Sequence, residues 1–187
     1  GIIASYPTKL PFHFQSPYLQ GDGLGDVIEA CHRAGIRLLA RTDFSKVRRP
    51  IYEMHPEWAY ISPKGQIVDY NGDVHVCING DYQQHCALEI IRELVTEYDV
   101  DGIFFNMGGY QVRDYSGNYY GICHCPHCQE GFAAMFGLPL PVAEDMADPV
   151  YRKYVQFKKR TLREHHERVY TFIQNLRPDL CIANHTE

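Results

Sequence analysis

The stretch VDGIFFNMGGYQVRDYSGNYYGICHCPHC, Val100 to Cys128, decides the fold. Its opening, Val100-Asp101-Gly102-Ile103-Phe104-Phe105-Asn106, is an apolar run that ends in an amide. A strand buried on both faces of a parallel sheet reads this way, and its carboxyl end is where α/β folds place reactive groups. The run then gives way to a long loop carrying Cys123-x-Cys125-x-x-Cys128, a spacing that brings three thiols together.

Upstream, Tyr82 to Tyr98 carries Ala87, Ile90, Ile91, Leu94 and Tyr98 on one helical face and leads straight into the strand. Leu24 to Ala34 is an earlier helix, with Leu24, Val27, Ile28 and Cys31 in register and Gly35 at the C-cap. Ile36 to Ala40 is predicted as a buried strand with Arg41-Thr42-Asp43 at its tip, and Phe44 to Tyr60 as irregular. Trp58 to Cys77 has β character broken at Pro63-Lys64-Gly65 and Asn71-Gly72, which predicts a hairpin excursion. Downstream, a short helix is expected near Glu130–Phe136. Asp148-Pro149 then opens a helix that runs to about Leu176, and Leu180–Asn184 forms the next strand. Helix and strand alternate, so the chain reads as successive βα units around a parallel sheet. Cys31 and Cys181 fall on apolar faces and are expected in the core.

With 45% hydrophobic and 22% charged residues, the 187-residue chain can build one core, and a single domain spanning 1–187 is expected. A net charge of −5 gives no basic face, so a nucleic-acid partner lacks its electrostatic footprint and a zinc module that binds nucleic acid is a weak reading. No run approaches the ~18 apolar residues of a membrane span, and no leader is visible, so a cytoplasmic location is expected. The chain opens at Gly1 without Met and closes as a strand finishes, which reads as a piece of something larger. The 14 Tyr, 9 Phe and 1 Trp suit either a core or a cleft whose rings stack on sugars.

Six motifs in order carry a resemblance: Tyr6-Pro7-Thr8-Lys9; Gly35-Ile36-Arg37 with Ala40-Arg41-Thr42-Asp43-Phe44-Ser45-Lys46; His55-Pro56-Glu57-Trp58; Cys77-Ile78-Asn79; Tyr98-Asp99-Val100-Asp101-Gly102-Ile103-Phe104-Phe105; and Cys123-His124-Cys125-Pro126-His127-Cys128. Together they resemble the barrel of the "hypothetical glycosyl hydrolase 6" type, a group similar to family 42 β-galactosidases and family 29 α-fucosidases. The resemblance implies a (β/α)₈ TIM-barrel glycoside hydrolase with a carbohydrate substrate. This α/β chain would supply about half of the barrel, from the end of the second strand unit through the fifth strand, with a hairpin excursion and a Cys-rich loop. The full-length parent could form a homo-oligomer.

Three clustered cysteines leave zinc one ligand short of a tetrahedron. Family 42 members resemble this chain in having an earlier Cys that joins such a cluster. That makes Cys77 the fourth ligand beside Cys123, Cys125 and Cys128, with Cys86, His124 and His127 as competitors. Such a zinc would be structural, because four protein ligands leave no place for a water nucleophile. Reduced surface thiols or a disulfide pair are the alternatives.

At the strand tip the α-fucosidases resembled here place an Asp nucleophile, and family 42 an Asn-Glu pair that includes the acid/base. This chain has Asn106-Met107. An amide cannot be a carboxylate nucleophile, but it can bond a sugar hydroxyl in the transition state. Asp43 at the preceding tip, Asp114 in the Cys loop and Glu187 after the last strand are the local carboxylates. Asp43, Asn106 and Asp114 are therefore the catalytic candidates. His55 and Trp58, in a loop after a strand tip, are candidate substrate contacts, as is Tyr110 with Tyr115, Tyr119 and Tyr120 along the Cys loop. A carbohydrate-binding barrel that has lost hydrolysis is the alternative, motivated by Asn106. Asp101 at the foot of its strand reads as structural.

Overall fold

The computed structural model describes residues 2–185. Helix α1 is Gly23–Arg33 and strand β1 is Leu39–Thr42. An excursion then holds β2 (Lys46–Arg48), α2 (Arg49–Met54), a 3₁₀ turn (Pro56–Trp58), β3 (Asp69–Tyr70) and β4 (Asp73–His75). A wide π turn at Tyr82–Cys86 runs into α3 (Ala87–Glu97), which leads to β5 (Gly102–Phe105). Helices α4 (Pro126–Phe136) and α5 (Pro149–Leu176) precede β6 (Cys181–Asn184).

The chain is mixed α/β. A parallel sheet has the order β1-β5-β6, and a small antiparallel sheet has the order β2-β4-β3. Ala40, Ile103 and Ile182 lie in one register row, as do Thr42, Phe105 and Asn184. This face packs on α3 and α5 through Ile90, Ile91, Leu94, Val169 and Ile173. The rows between them (Leu39, Gly102, Cys181 and Arg41, Phe104, Ala183) project to the other face. That face is bare: Leu39 is 46% exposed, and Arg41 and Cys181 are also exposed. Gly102 is the point of closest approach, since a Cβ there would stand 2.4 Å from both the Cys181 carbonyl oxygen and Leu39 Cδ2.

Several expectations shift. The strand predicted at Ile36–Ala40 begins at Leu39, with Ile36 left exposed in the turn. The approach is tied by Asp101, whose Oδ2 accepts from Leu38 N at 2.7 Å and meets His32 Nε2 at 2.9 Å, so Asp101 is a structural tie at the sheet's foot. The segment expected to be irregular contains β2 and α2. Its strand pairs with β4, far along the chain, a partner that a local pattern cannot reveal. The excursion is accordingly three-stranded, turning at Asn71 (φ 54°) and Gly72 (φ 84°). Cys181 is exposed and Cys31 half-buried, because both sit where the elements around them stop short of covering them.

Helix α5 starts where Asp148-Pro149 said it would, with the Asp148 side chain accepting from Val150 N. It serves two cores. Its N-terminal half contributes Tyr151, Tyr154 and Phe157 to a cluster with Cys77, Ile122, Phe132 and the three loop cysteines. Its C-terminal half contributes Val169 and Ile173 to the core behind the sheet. Among the described residues, no helix is long and apolar enough to cross a membrane.

Candidate functional site

Three neighbouring arrangements hold the chemistry-bearing residues. The first is the sulfur cluster. Cys125 N-caps α4 with Pro126 behind it, which starts a helix inside the motif and turns Cys128 inward. Cys77, just past β4, completes the set: the four buried Sγ atoms all lie within 4.8 Å of one another, with Cys77 and Cys128 at 3.4 Å. A tetrahedral ion with 2.3 Å bonds to sulfur needs edges of about 3.8 Å, a length between that closest pair and the outer limit of the set. Asn79 donates to the cluster twice, from N to Cys77 Sγ and from Nδ2 to Cys128 Sγ, each at 3.3 Å. Such donors orient and stabilise thiolates. Hydrogen bonds from Cys123 and then Cys128 hold the Cys125 thiol far below the usual range, while bonding within the cluster keeps Cys77 and Cys128 protonated. A cation among the four would replace those shared protons, since thiolates are the metal-binding form. The set can hold a metal ion, and all seven cysteines are free. Of the competitors, Cys86 lies outside the cluster, His124 Nδ1 meets the Ile122 carbonyl, and His127 faces Asp81.

The second arrangement is a pocket of about 220 Å³ at the carboxyl ends of β5 and β6. Asn106 and Asn184 lie at the strand tips, Gln83 comes from the π turn, and His165 and His166 come from α5. Phe44, Phe105, Ile91 and Val169 supply apolar wall. Asn106 N bonds the Thr42 carbonyl at 2.8 Å, extending the ladder by one residue, and Met107 then turns at φ 59°. A left-handed methionine is a strained way to leave a strand, and it lies beside the pocket. Burial holds His165 down at about 4, with His166 and Arg168 adding to the effect, so its ring is neutral near pH 7. Among the described residues, no carboxylate lines this pocket.

The third is a buried polar knot behind Ser45, which itself lines the pocket. Asp43 Oδ1 accepts from Ser45 N at 3.0 Å and Ser45 Oγ at 2.6 Å, and its Oδ2 lies 4.0 Å from Lys46 Nζ. Asp43, Ser45, Lys46 and His75 are all buried.

The structure thus brings Asn106 to the pocket and Asp43 to the layer behind it, but not Asp114. Both Asp114 oxygens are engaged by its own loop, through Ser116 N, Asn118 N, Asn118 Nδ2 and Tyr120 OH. The bond from Asn118 leads in holding its carboxyl below the usual range. Trp58 is 4% exposed and packed between Phe12 and Tyr82, with His55 stacked on its indole at 4.0 Å. Tyr110 gives its hydroxyl to the sulfur lobe, bonded to Asn79 Nδ2 and Thr161 Oγ1. Glu187 lies outside the described residues. Lys46, His75, Gln83, His165, His166 and Asn184 were missed by sequence reasoning. Only Asn184 carried a signal, as the amide ending the last strand in the way Asn106 ends its own.

Comparison with solved structures returns glycoside hydrolase folds. The chain is similar to α-L-fucosidase isoenzyme 2 from Paenibacillus thiaminolyticus, with a TM-score of 0.74 and 22% identity over 98% of this chain and 25% of that one. It is similar to a β-galactosidase from the Antarctic haloarchaeon Halorubrum lacusprofundi, with a TM-score of 0.62 and 15% identity over 90% of this chain and 30% of that one. A β-galactosidase from Bacillus circulans sp. alkalophilus gives 0.59 and 14% over 86% and 28%. The chain therefore spans between a quarter and a third of the length of these neighbours. No curated protein sequence matches it. A family model does, over residues 1–107, and the chain belongs to that family, hypothetical glycosyl hydrolase 6.

Proposed function

We propose that this chain supplies part of a (β/α)₈ barrel that hydrolyses glycosidic bonds in a carbohydrate substrate. The observation that carries the reading is the pocket at the strand tips, where Asn106 and Asn184 meet the neutral ring of His165 against an apolar wall. Amides offer a donor and an acceptor at once, which suits a neutral, hydroxyl-rich ligand. The bare row of Leu39, Arg41, Phe104 and Cys181 is then the barrel's inner face, which further strands of the parent would cover. The neighbours named α-L-fucosidase and β-galactosidase make a neutral hexopyranoside the first substrate class to test.

Hydrolysis needs two carboxylates, and the described residues put none in the pocket's wall. Asp43, linked to the pocket through Ser45 Oγ, is the nearest local candidate; its partner belongs to the rest of the parent. Asn106 would bond a substrate hydroxyl. His55 is the outer contact, with Trp58 as the support behind its ring. Zinc is the proposed occupant of Cys77, Cys123, Cys125 and Cys128. It would close the loop between β5 and α4 without touching substrate.

The test is turnover of aryl fucosides and galactosides by the parent protein. Turnover reduced by at least about a hundredfold in Asp43→Ala or Asn106→Ala is expected. No turnover on any glycoside would sink the hydrolase. The second reading, a carbohydrate-binding barrel without hydrolysis, is favoured by the amide at position 106. Sugar binding without turnover, with activity restored by Asn106→Asp, would decide for it.

A further inference from the structure

The polar knot behind the pocket contains a pair that the proposed reaction does not use. Strands β2 and β4 set Lys46 directly opposite His75, so both side chains leave the same face of the small sheet. Lys46 is 1% exposed and His75 0%. His75 Nδ1 lies 3.2 Å from the carbonyl oxygen of Gln111. A carbonyl only accepts, so Nδ1 carries the proton and Nε2 of the neutral ring is a bare acceptor. That Nε2 is sealed from solvent and has no partner. A buried acceptor left unmet is costly, and an orphan of this kind in a native fold calls for a ligand.

The lysine supplies the complementary half. Ser45 Oγ gives its own proton to Asp43, so it accepts from Lys46 Nζ at 3.1 Å. Lys46 Nζ also reaches the Tyr115 hydroxyl at 3.3 Å and lies 4.7 Å from the centre of that ring. Tyr115 is 59% exposed and rests edge-on against Tyr70, so it roofs the lysine from outside. With Asp43 beside the ammonium the local charge is balanced, which favours a neutral ligand over an anion. Lys46 and His75, paired across the strands, offer an N–H donor and a bare imine acceptor from one face, the two roles that a single hydroxyl can fill, its oxygen accepting from one and its proton going to the other. Among the described residues, the Tyr115 hydroxyl meets only the lysine.

We propose that Lys46 and His75 form a subsite for one hydroxyl of a neutral sugar, with Tyr115 as its displaceable cover. The proposal rests on the carbohydrate reading above. It adds a contact two layers from the strand-tip pocket and names the group it takes.

The experiment is a titration of the full chain, labelled with ¹⁵N-histidine, with L-fucose and with D-galactose, reading the His75 ring nitrogens. One of the sugars should move the Nε2 resonance saturably. Tyr115→Ala should tighten that response about tenfold by removing the cover, and Lys46→Met should weaken it about tenfold. A melting curve establishes that Lys46→Met is folded; if it is not, wild type and Tyr115→Ala decide between them. A His75 resonance that neither sugar moves in either protein overturns the subsite and leaves Nε2 to a trapped water. In that case a response at His165 or His166 leaves the glycosidase reading standing. Silence at every histidine, with a parent that turns over no glycoside, removes both.

Discussion

Ile103 and Cys128 are both sealed from solvent, but what keeps them there differs. Around Ile103, the sheet and helices α3 and α5 bury a continuous set of aliphatic side chains, and hydrophobic burial suffices. Around Cys128, the centre of the core is four sulfurs whose protons compete, and aromatic rings (Phe132, Tyr154, Phe157) form only the jacket. The lobe between β5 and α5 has long loops and one 11-residue helix of its own. The lesson is that one chain stabilises two cores by different means, and that the two should fail under different conditions.

Removing metal should break the comparison most sharply. Structural zinc contributes on the order of 10–16 kcal/mol in isolated zinc modules, so chelation or Cys123→Ser should unfold the sulfur lobe. We expect about one zinc per chain, released by Cys123→Ser. Limited proteolysis should then cut within residues 107–145 while the parallel sheet stays protected. Equal protection of both regions without metal would refute the claim.

Truncation on the other side should give the converse. Ile103→Ala should cost about 2–5 kcal/mol in denaturant unfolding, with metal content unchanged. Gly102→Ala should be comparable, since its new methyl would meet backbone at the Cys181 carbonyl, and only the Leu39 side chain can yield.

Acid should also distinguish the halves. His165 titrates near 4 when folded and at its ordinary value near 6.5 when unfolded, so its folded pKa is depressed. Its contribution is complete above pH 6.5 and is lost as pH falls towards 4, because the unfolded chain takes up the proton first. Up to about 3 kcal/mol is at stake, less whatever solvent screening removes. His165→Gln should flatten that slope in pH-dependent melts.

The smallest effect is expected at Asp114, whose depressed carboxyl supports its own turn. Asp114→Asn should loosen residues 113–120, read as faster amide exchange there, with the global unfolding midpoint barely moved.

Much of the frame was legible in the residues. Asp148-Pro149 and Gly137 punctuate helices with local chemistry, and the order of helices and strands sufficed for a parallel sheet. Three of the four sulfurs were legible in the spacing of Cys123, Cys125 and Cys128, whereas Cys77 came from the family resemblance, since nothing local marks it among its competitors. Lys46 and His75 were not legible. A lysine in a sequence reads as solvated, and only the pairing of β2 with a strand beyond the excursion buries it. His165 was not legible either, because its pocket exists only where α5 passes the tips of β5 and β6. Trp58 failed in the opposite sense: its size marked it as a sugar platform, but the turn that carries it folds the indole under His55. Non-local pairing settled each of these positions.

Helix α5 makes the two cores mechanically one. Its 28 residues extend about 42 Å, clasped at the start by the aromatic jacket of the sulfurs and bearing pocket residues near its far end. His165 stands about 24 Å along that rod, so a tilt of about 3° at the start would shift it by about 1 Å. The jacket of the sulfurs and the His165 wall of the pocket therefore ride on one rigid element, as a hinge pin and the edge of a door share one leaf.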